Sequence, residues 1–228
     1  MPDQAALPPI TAEKVAYWFF RINGCLTVVN FVVHPDAPQP GQSGQRTEGD
    51  IIAVRFPHRS ELFTSENPMQ DHAIFQTEEA RVDLILAEIK NGKCRLNGPW
   101  VNPERENMHR FLYAIGMFPK QKVKAIADKL YTRHIYSDEF HQIRLIAVGN
   151  ERNTDLPSDV VQLTWSDILA FVYGRFKGYS YHKADHPQWD SVGQYLYDEV
   201  KISGDLDKFL AHVSTRMGIA LGQSNLVL

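Results

Sequence analysis

The sequence predicts an α/β fold: a mixed central β-sheet flanked by helices, with a helical C-terminal third. Three observations carry this expectation. A single leading helix is followed by three successive β-rich runs at 26–34, 50–57 and 81–90. Two further β-rich runs, 142–150 and 160–165, come only after a stretch of helical pattern. From Ser166 onward every patterned segment is helical.

Each element has a local cause. Thr11 is placed to cap a helix from Ala12 to Asn23, whose apolar positions are Val15, Ala16, Phe19 and Ile22. Gly24 supplies the stop, because a left-handed residue after a helix needs no Cβ. LTVVNFVVH (26–34) is β-branched and aromatic, hence a strand. Residues 35–49, PDAPQPGQSGQRTEG, read as a polar turn-rich loop. DIIAVRFP (50–57) is a second strand ended by Pro57, and an irregular insertion covers 58–80.

RVDLILAEIK (81–90) is almost continuously apolar, which predicts a strand buried on both faces. Turn residues fill 91–100, and Pro119 separates helices at 104–117 and 120–134. QIRLIAVGN (142–150) and VVQLTW (160–165) complete the strands. Helices follow at about 166–176, 187–201 and 205–217, punctuated by Gly178 and Gly204. The expected organisation is a 1–164 α/β core with a 165–228 helical extension packed on it, serving as cap, lid or docking surface.

Composition narrows the class. With 43% hydrophobic and 22% charged residues, the 228-residue chain has the balance of an ordinary globular protein. Its formal net charge of −3 excludes a protein held on a polyanion by its overall field, so any nucleic-acid contact must come from local basic patches. Cys25 and Cys94 lie outside any zinc-ligand spacing and read as free thiols of a reducing compartment. The opening MPDQAALPPI lacks the pattern of a signal peptide, and no apolar run is long enough for a membrane span. A cytoplasmic protein without membrane contact is expected.

One constellation carries chemistry: a strand opening with an acid, EGDIIAVRF, and a strand ending in acid-x-lysine, ILAEIK. Residues two apart on a strand share a face, so Glu88 and Lys90 project together while Ile89 turns inward and leaves its carbonyl at the strand end. If the strand of Asp50 pairs alongside, two carboxylates and a carbonyl make a hard-oxygen site suited to Mg²⁺ or Mn²⁺. Lys90 beside it supplies positive charge to the non-bridging oxygens of a phosphodiester.

From Glu13 to Lys90 the chain resembles the PD-(D/E)XK, or restriction-endonuclease-like, nuclease superfamily. The order of leading helix, strand, EGDIIAV and LILAEIK carries the likeness, and YWFFRINGCLTVVNF is similar to the opening of Holliday-junction-resolvase-like small nucleases. The resemblance implies a restriction-endonuclease-like fold over roughly the first 150 residues. It implies metal binding by Asp50 and Glu88, assistance by Lys90, and a further ligand at Glu13, the counterpart of a first-helix glutamate found in some members. The expected activity is divalent-metal-dependent hydrolysis of nucleic acid, DNA before RNA, in repair, recombination or defence. The alternative is a catalytically inactive relative that binds nucleic acid or serves in assembly. A homodimer, or a protein partner docked through the helical third, is compatible with either.

Two basic stretches are candidates for phosphate contact. Lys120, Lys122 and Lys124 open the 120–134 helix and either track a phosphate backbone or form the solvated side of an amphipathic helix. In YGRFKGYSYHK, Arg175 and Lys177 are interleaved with aromatics, a mixture that suits single-strand stacking and equally a helix packing its rings into a core.

Overall fold

The computed structural model of the chain describes residues 10–36, 46–76, 80–184 and 190–221. Its elements are α1 (Ala12–Ile22), β1 (Leu26–Val33), β2 (Thr47–Arg55), β3 (Val82–Ile89), α2 (Gly98–Val101), α3 (Asn107–Ile115), α4 (Lys120–Arg133), β4 (Ile135–Ser137), β5 (His141–Gly149), β6 (Val161–Thr164), α5 (Trp165–Gly178), α6 (Ser191–Ser203) and α7 (Leu206–Met217). The predicted α/β class, with a mixed sheet and a helical C-terminal region, is the one observed. Most of the expected leader, the middle of the 35–49 loop, residues 77–79, the start of the 187–201 helix and the last seven residues lie outside the described residues.

β1, β2 and β3 form an antiparallel meander, and β3 then pairs parallel with β5. β5 carries β4 antiparallel along its first half and β6 parallel along its second. A single row across the sheet runs Val28, Ile52, Leu86, Leu145. The parallel step from β3 to β5 needs a long crossover, which α2, α3 and α4 provide.

Because strand side chains alternate, the sheet builds two cores. Ile51, Ala53, Ile85, Ala87 and Ile89 face α1 and the C-terminal helices. Ile52, Leu84 and Leu86 face α3 and α4, where Phe111, Val123, Ile126 and Leu130 cover them. β3 contributes to both, and every residue from Leu84 to Ile89 is buried, as its unbroken apolar run predicts.

The structure differs from expectation at two strands. β2 begins at Thr47, so Asp50 lies inside the strand; Val33↔Thr47, Val32↔Glu48 and Phe31↔Gly49 prolong the hairpin through residues whose polarity disguises them. β4 has three residues, too few for any period to register.

The C-terminal helices are not a separate layer with a core of their own. Trp165, Phe176, Leu196, Phe209 and Val213 belong to the same cluster as Phe19, Ile51 and Ile85. α5 starts with a reciprocal capping box: the Thr164 hydroxyl accepts the Asp167 N–H, and the Asp167 carboxylate accepts the Thr164 N–H. α6 meets α1 at Gly193, where a Cβ would stand 2.0 Å from the Trp18 ring. The Trp18 indole N–H donates to Asp190, the cap of α6, at 2.9 Å. Among the described residues no helix is long and apolar enough to cross a membrane.

Candidate functional site

The pairing of β2 with β3 runs from Arg55↔Asp83 to Ile51↔Ala87, and its continuation by one residue sets Asp50 opposite Glu88. On the other side of β2 the pairing passes from Val29↔Ile51 to Phe31↔Gly49, skipping Asn30 across from Asp50. Asn30 has φ 54°, the left-handed region that asparagine enters more readily than most residues. This irregularity interrupts the ladder at Asp50. The Ile89 N–H is taken there by the Asp50 side chain, donating to Oδ2 at 2.7 Å. Irregular pairing of this kind re-aims a side chain at a strand's end.

The Lys90 ammonium sits at the focus of the site. It lies 3.3 Å from Asp50 Oδ2, 3.1 Å from Glu88 Oε2 and 3.0 Å from the Ile89 carbonyl. These are the three oxygens that the sequence assigns to a metal, and a cation already draws them to one point. The Trp165 indole N–H donates to the Lys90 carbonyl at 3.0 Å, pinning the end of β3 to the start of α5.

Glu88 is completely buried. Burial, reinforced by the nearby Asp50 charge, pushes its carboxyl up to about 7, with Lys90 and Trp100 pulling the other way. The Trp100 indole is close enough to ease that shift. Yet Trp100 Nε1 and Glu88 Oε1 are both buried, and neither completes a hydrogen bond. A buried carboxylate oxygen without a partner is costly. The donor set of two carboxylates and a carbonyl, and its convergence on an ammonium, fit a hard divalent ion.

Glu13 stands apart. It belongs to α1, which packs on the face of Ile51 and Ile85, whereas Glu88 shares the opposite face with Leu84 and Leu86. Among the described residues no group of three or more His, Cys, Asp or Glu side chains gathers as a metal site, so the acidic donors that converge are Asp50 and Glu88 alone.

The basic candidates divide. Lys120, Lys122 and Lys124 are exposed on α4. Lys120 lines a groove that also holds Asp36, already paired with Arg110. Arg175 corrects the expectation placed on it: it is 3% exposed and donates to the Ile22 carbonyl at 2.5 Å, the Gln70 carbonyl at 2.6 Å and Asp71 at 3.3 Å. A guanidinium so engaged ties the fold together and has nothing left for a phosphate. Lys177 is exposed, with its ammonium 2.8 Å from the Tyr173 hydroxyl.

The residues that sequence reading passed over are Trp100 and Trp165, which flank the acid-x-lysine strand from opposite cores. The Thr164-x-x-Asp167 capping box marked where Trp165 begins its helix. Nothing local marked Trp100.

Compared with known proteins, the chain matches no family model, no curated protein and no solved structure.

Proposed function

We propose that the protein is a divalent-metal-dependent nuclease of PD-(D/E)XK type, hydrolysing phosphodiester bonds in DNA. The observation that carries this reading is the convergence of Asp50 Oδ2, Glu88 Oε2 and the Ile89 carbonyl on one cationic nitrogen. Asp50, Glu88 and the Ile89 carbonyl would hold Mg²⁺ or Mn²⁺. When bound, such an ion supplies positive charge to the phosphate's non-bridging oxygens and makes water a stronger nucleophile. The buried wall around Glu88 excludes competing water from one side of the carboxylate. Once the carboxylates are otherwise engaged, Lys90 is released to place its point charge on the phosphodiester, or to orient the attacking water.

The same lysine favours a second reading. An ammonium that already neutralises both acids completes a purely structural ion cluster in a nuclease-like fold that binds nucleic acid or a partner without cutting.

Calorimetry with Mn²⁺, alongside cleavage assays on plasmid and linear DNA, separates the two. The nuclease reading expects cleavage that requires Mg²⁺ or Mn²⁺ and is abolished by chelator. Asp50→Asn and Glu88→Gln should each lose Mn²⁺ binding and at least about a hundredfold in cleavage. Lys90→Met should also lose cleavage but bind Mn²⁺ more tightly, because the competing ammonium is gone. Cleavage surviving in both carboxylate variants, or no Mn²⁺ binding by the native protein, overturns the reading.

A further inference from the structure

We infer that the strap following β3, from Asn91 to Arg95, is a cradle for a backbone phosphate of the nucleic acid, next to the one at Lys90. This rests on the nuclease reading and adds to it where the substrate strand lies.

The strap is built rigidly. The Asn150 N–H donates to the Gly92 carbonyl at 2.6 Å, and the Cys94 N–H to the Glu151 carbonyl at 2.8 Å. The Asn153 amide donates to the Cys94 carbonyl at 3.1 Å. Contact with β5 is so close that a Cβ at Gly149 would stand 2.5 Å from the Gly92 carbonyl oxygen. Cys94 is wholly buried, its thiol directed to the Leu163 carbonyl at 3.6 Å. Its two neighbours, Lys93 and Arg95, are thereby turned out to solvent.

These outward cations border a cavity of about 390 Å³ whose wall also includes Lys90 and Asn153 and contains no carboxylate. The volume falls in the range of small-ligand sites. Arg95 makes no hydrogen bond or ion pair with another described residue. Among the described residues Lys93 is ion-paired with Asp155 alone, at 3.7 Å with that acid 85% exposed, a pairing worth little in water. Glu151 bridges Lys93 through the backbone without forming an ion pair with it. The cavity therefore presents three cations on one wall, of which Lys90 reaches Asp50 and Glu88. A polyanionic strand entering it would set one phosphate on Lys93 and Arg95 and the adjacent one at the acid pair. By contrast, the groove at Lys120 carries its own acid. Guanidinium and ammonium together suit a phosphodiester: the fork of Arg95 grips two oxygens and Lys93 adds a point charge.

The test measures binding of a fluorescein-labelled DNA duplex by anisotropy over a range of salt, with EDTA present so that cleavage does not intervene. The probes are the native chain, Lys93→Gln/Arg95→Gln, and Lys120→Gln/Lys122→Gln/Lys124→Gln. Melting curves confirm that each variant is folded. The cradle predicts that the strap variant binds about tenfold more weakly and loses about two units of the salt slope, near one for each lost phosphate contact. If the native protein binds and cleaves DNA but the strap variant binds as the native does, or the loss is confined to the α4 variant, the cradle is wrong while the nuclease reading stands. If the native protein shows neither binding nor metal-dependent cleavage, the nuclease reading fails and the cradle with it.

Discussion

Glu88 is where stability and chemistry pull apart. Its carboxyl, raised to about 7 from an ordinary 4.5, binds a proton more readily in the folded chain than in the unfolded one. Its contribution therefore changes sign against the usual acid. It costs nothing below the unfolded value, and the folded state loses stability as pH rises between roughly 4.5 and 7, ending a few kcal/mol lower above that window. Glu88→Gln removes the titration. In metal-free protein with chelator, this variant should melt higher than native near pH 8 and show little gain near pH 4.5. Equal shifts at both pH values would mean that burial is not what raises this carboxyl. Period two in ILAEIK already told that Glu88 and Lys90 share a face. That this face is closed by Trp100 from α2 was not legible, since the contact depends on how the crossover lies back on the sheet.

At the scale of elements, the segment between β2 and β3 is held by charge as much as by apolar packing. Asp71, 7% exposed at its side chain, accepts from Arg55 at 2.6 Å, Arg59 at 2.7 Å and Arg175 at 3.3 Å. Through Arg175 the cluster reaches the end of α1 and the last turn of α5. Removing one member of a buried ion cluster strands the others, at about 3–5 kcal/mol. Asp71→Ala should lower the unfolding free energy by that amount, read as a lower urea midpoint with the m-value unchanged. A loss below about 1 kcal/mol would show that water already solvates the three guanidiniums. Arg175 illustrates why its sequence context misled: an arginine among aromatics has the same local pattern whether it faces a nucleobase or three carbonyl and carboxyl oxygens brought from 104 and more residues away.

Over the whole molecule, the boundary drawn at residue 164 separates a continuous core. Trp165, Phe176 and Phe209 pack with Phe19 and Ile85, and the Trp165 indole holds the Lys90 carbonyl. The full chain should unfold in one cooperative transition in which near- and far-ultraviolet dichroism coincide. A chain ending at Thr164 should lack that transition and bind hydrophobic dye, because the sheet face it leaves to α1 loses the cover of α5, α6 and α7. Cooperative melting of the shortened chain would show instead that the first 164 residues are self-sufficient.

By itself the sequence determined what short-range periodicity can encode. That includes the fold class, the burial of β3 on both faces, and the placement of an acid and a lysine on one side of a strand end. Tertiary structure alone decided which oxygens meet. The register of β1 and β2 puts the left-handed Asn30 beside Asp50, and past the end of the β2–β3 ladder at Ile51 the Asp50 side chain takes the Ile89 N–H. The choice of sheet face separates Glu13 from Glu88. The fold of the strap against β5 turns Lys93 and Arg95 outward. Each of these rests on pairing between segments far apart in the chain, for which a residue's immediate neighbours hold no record.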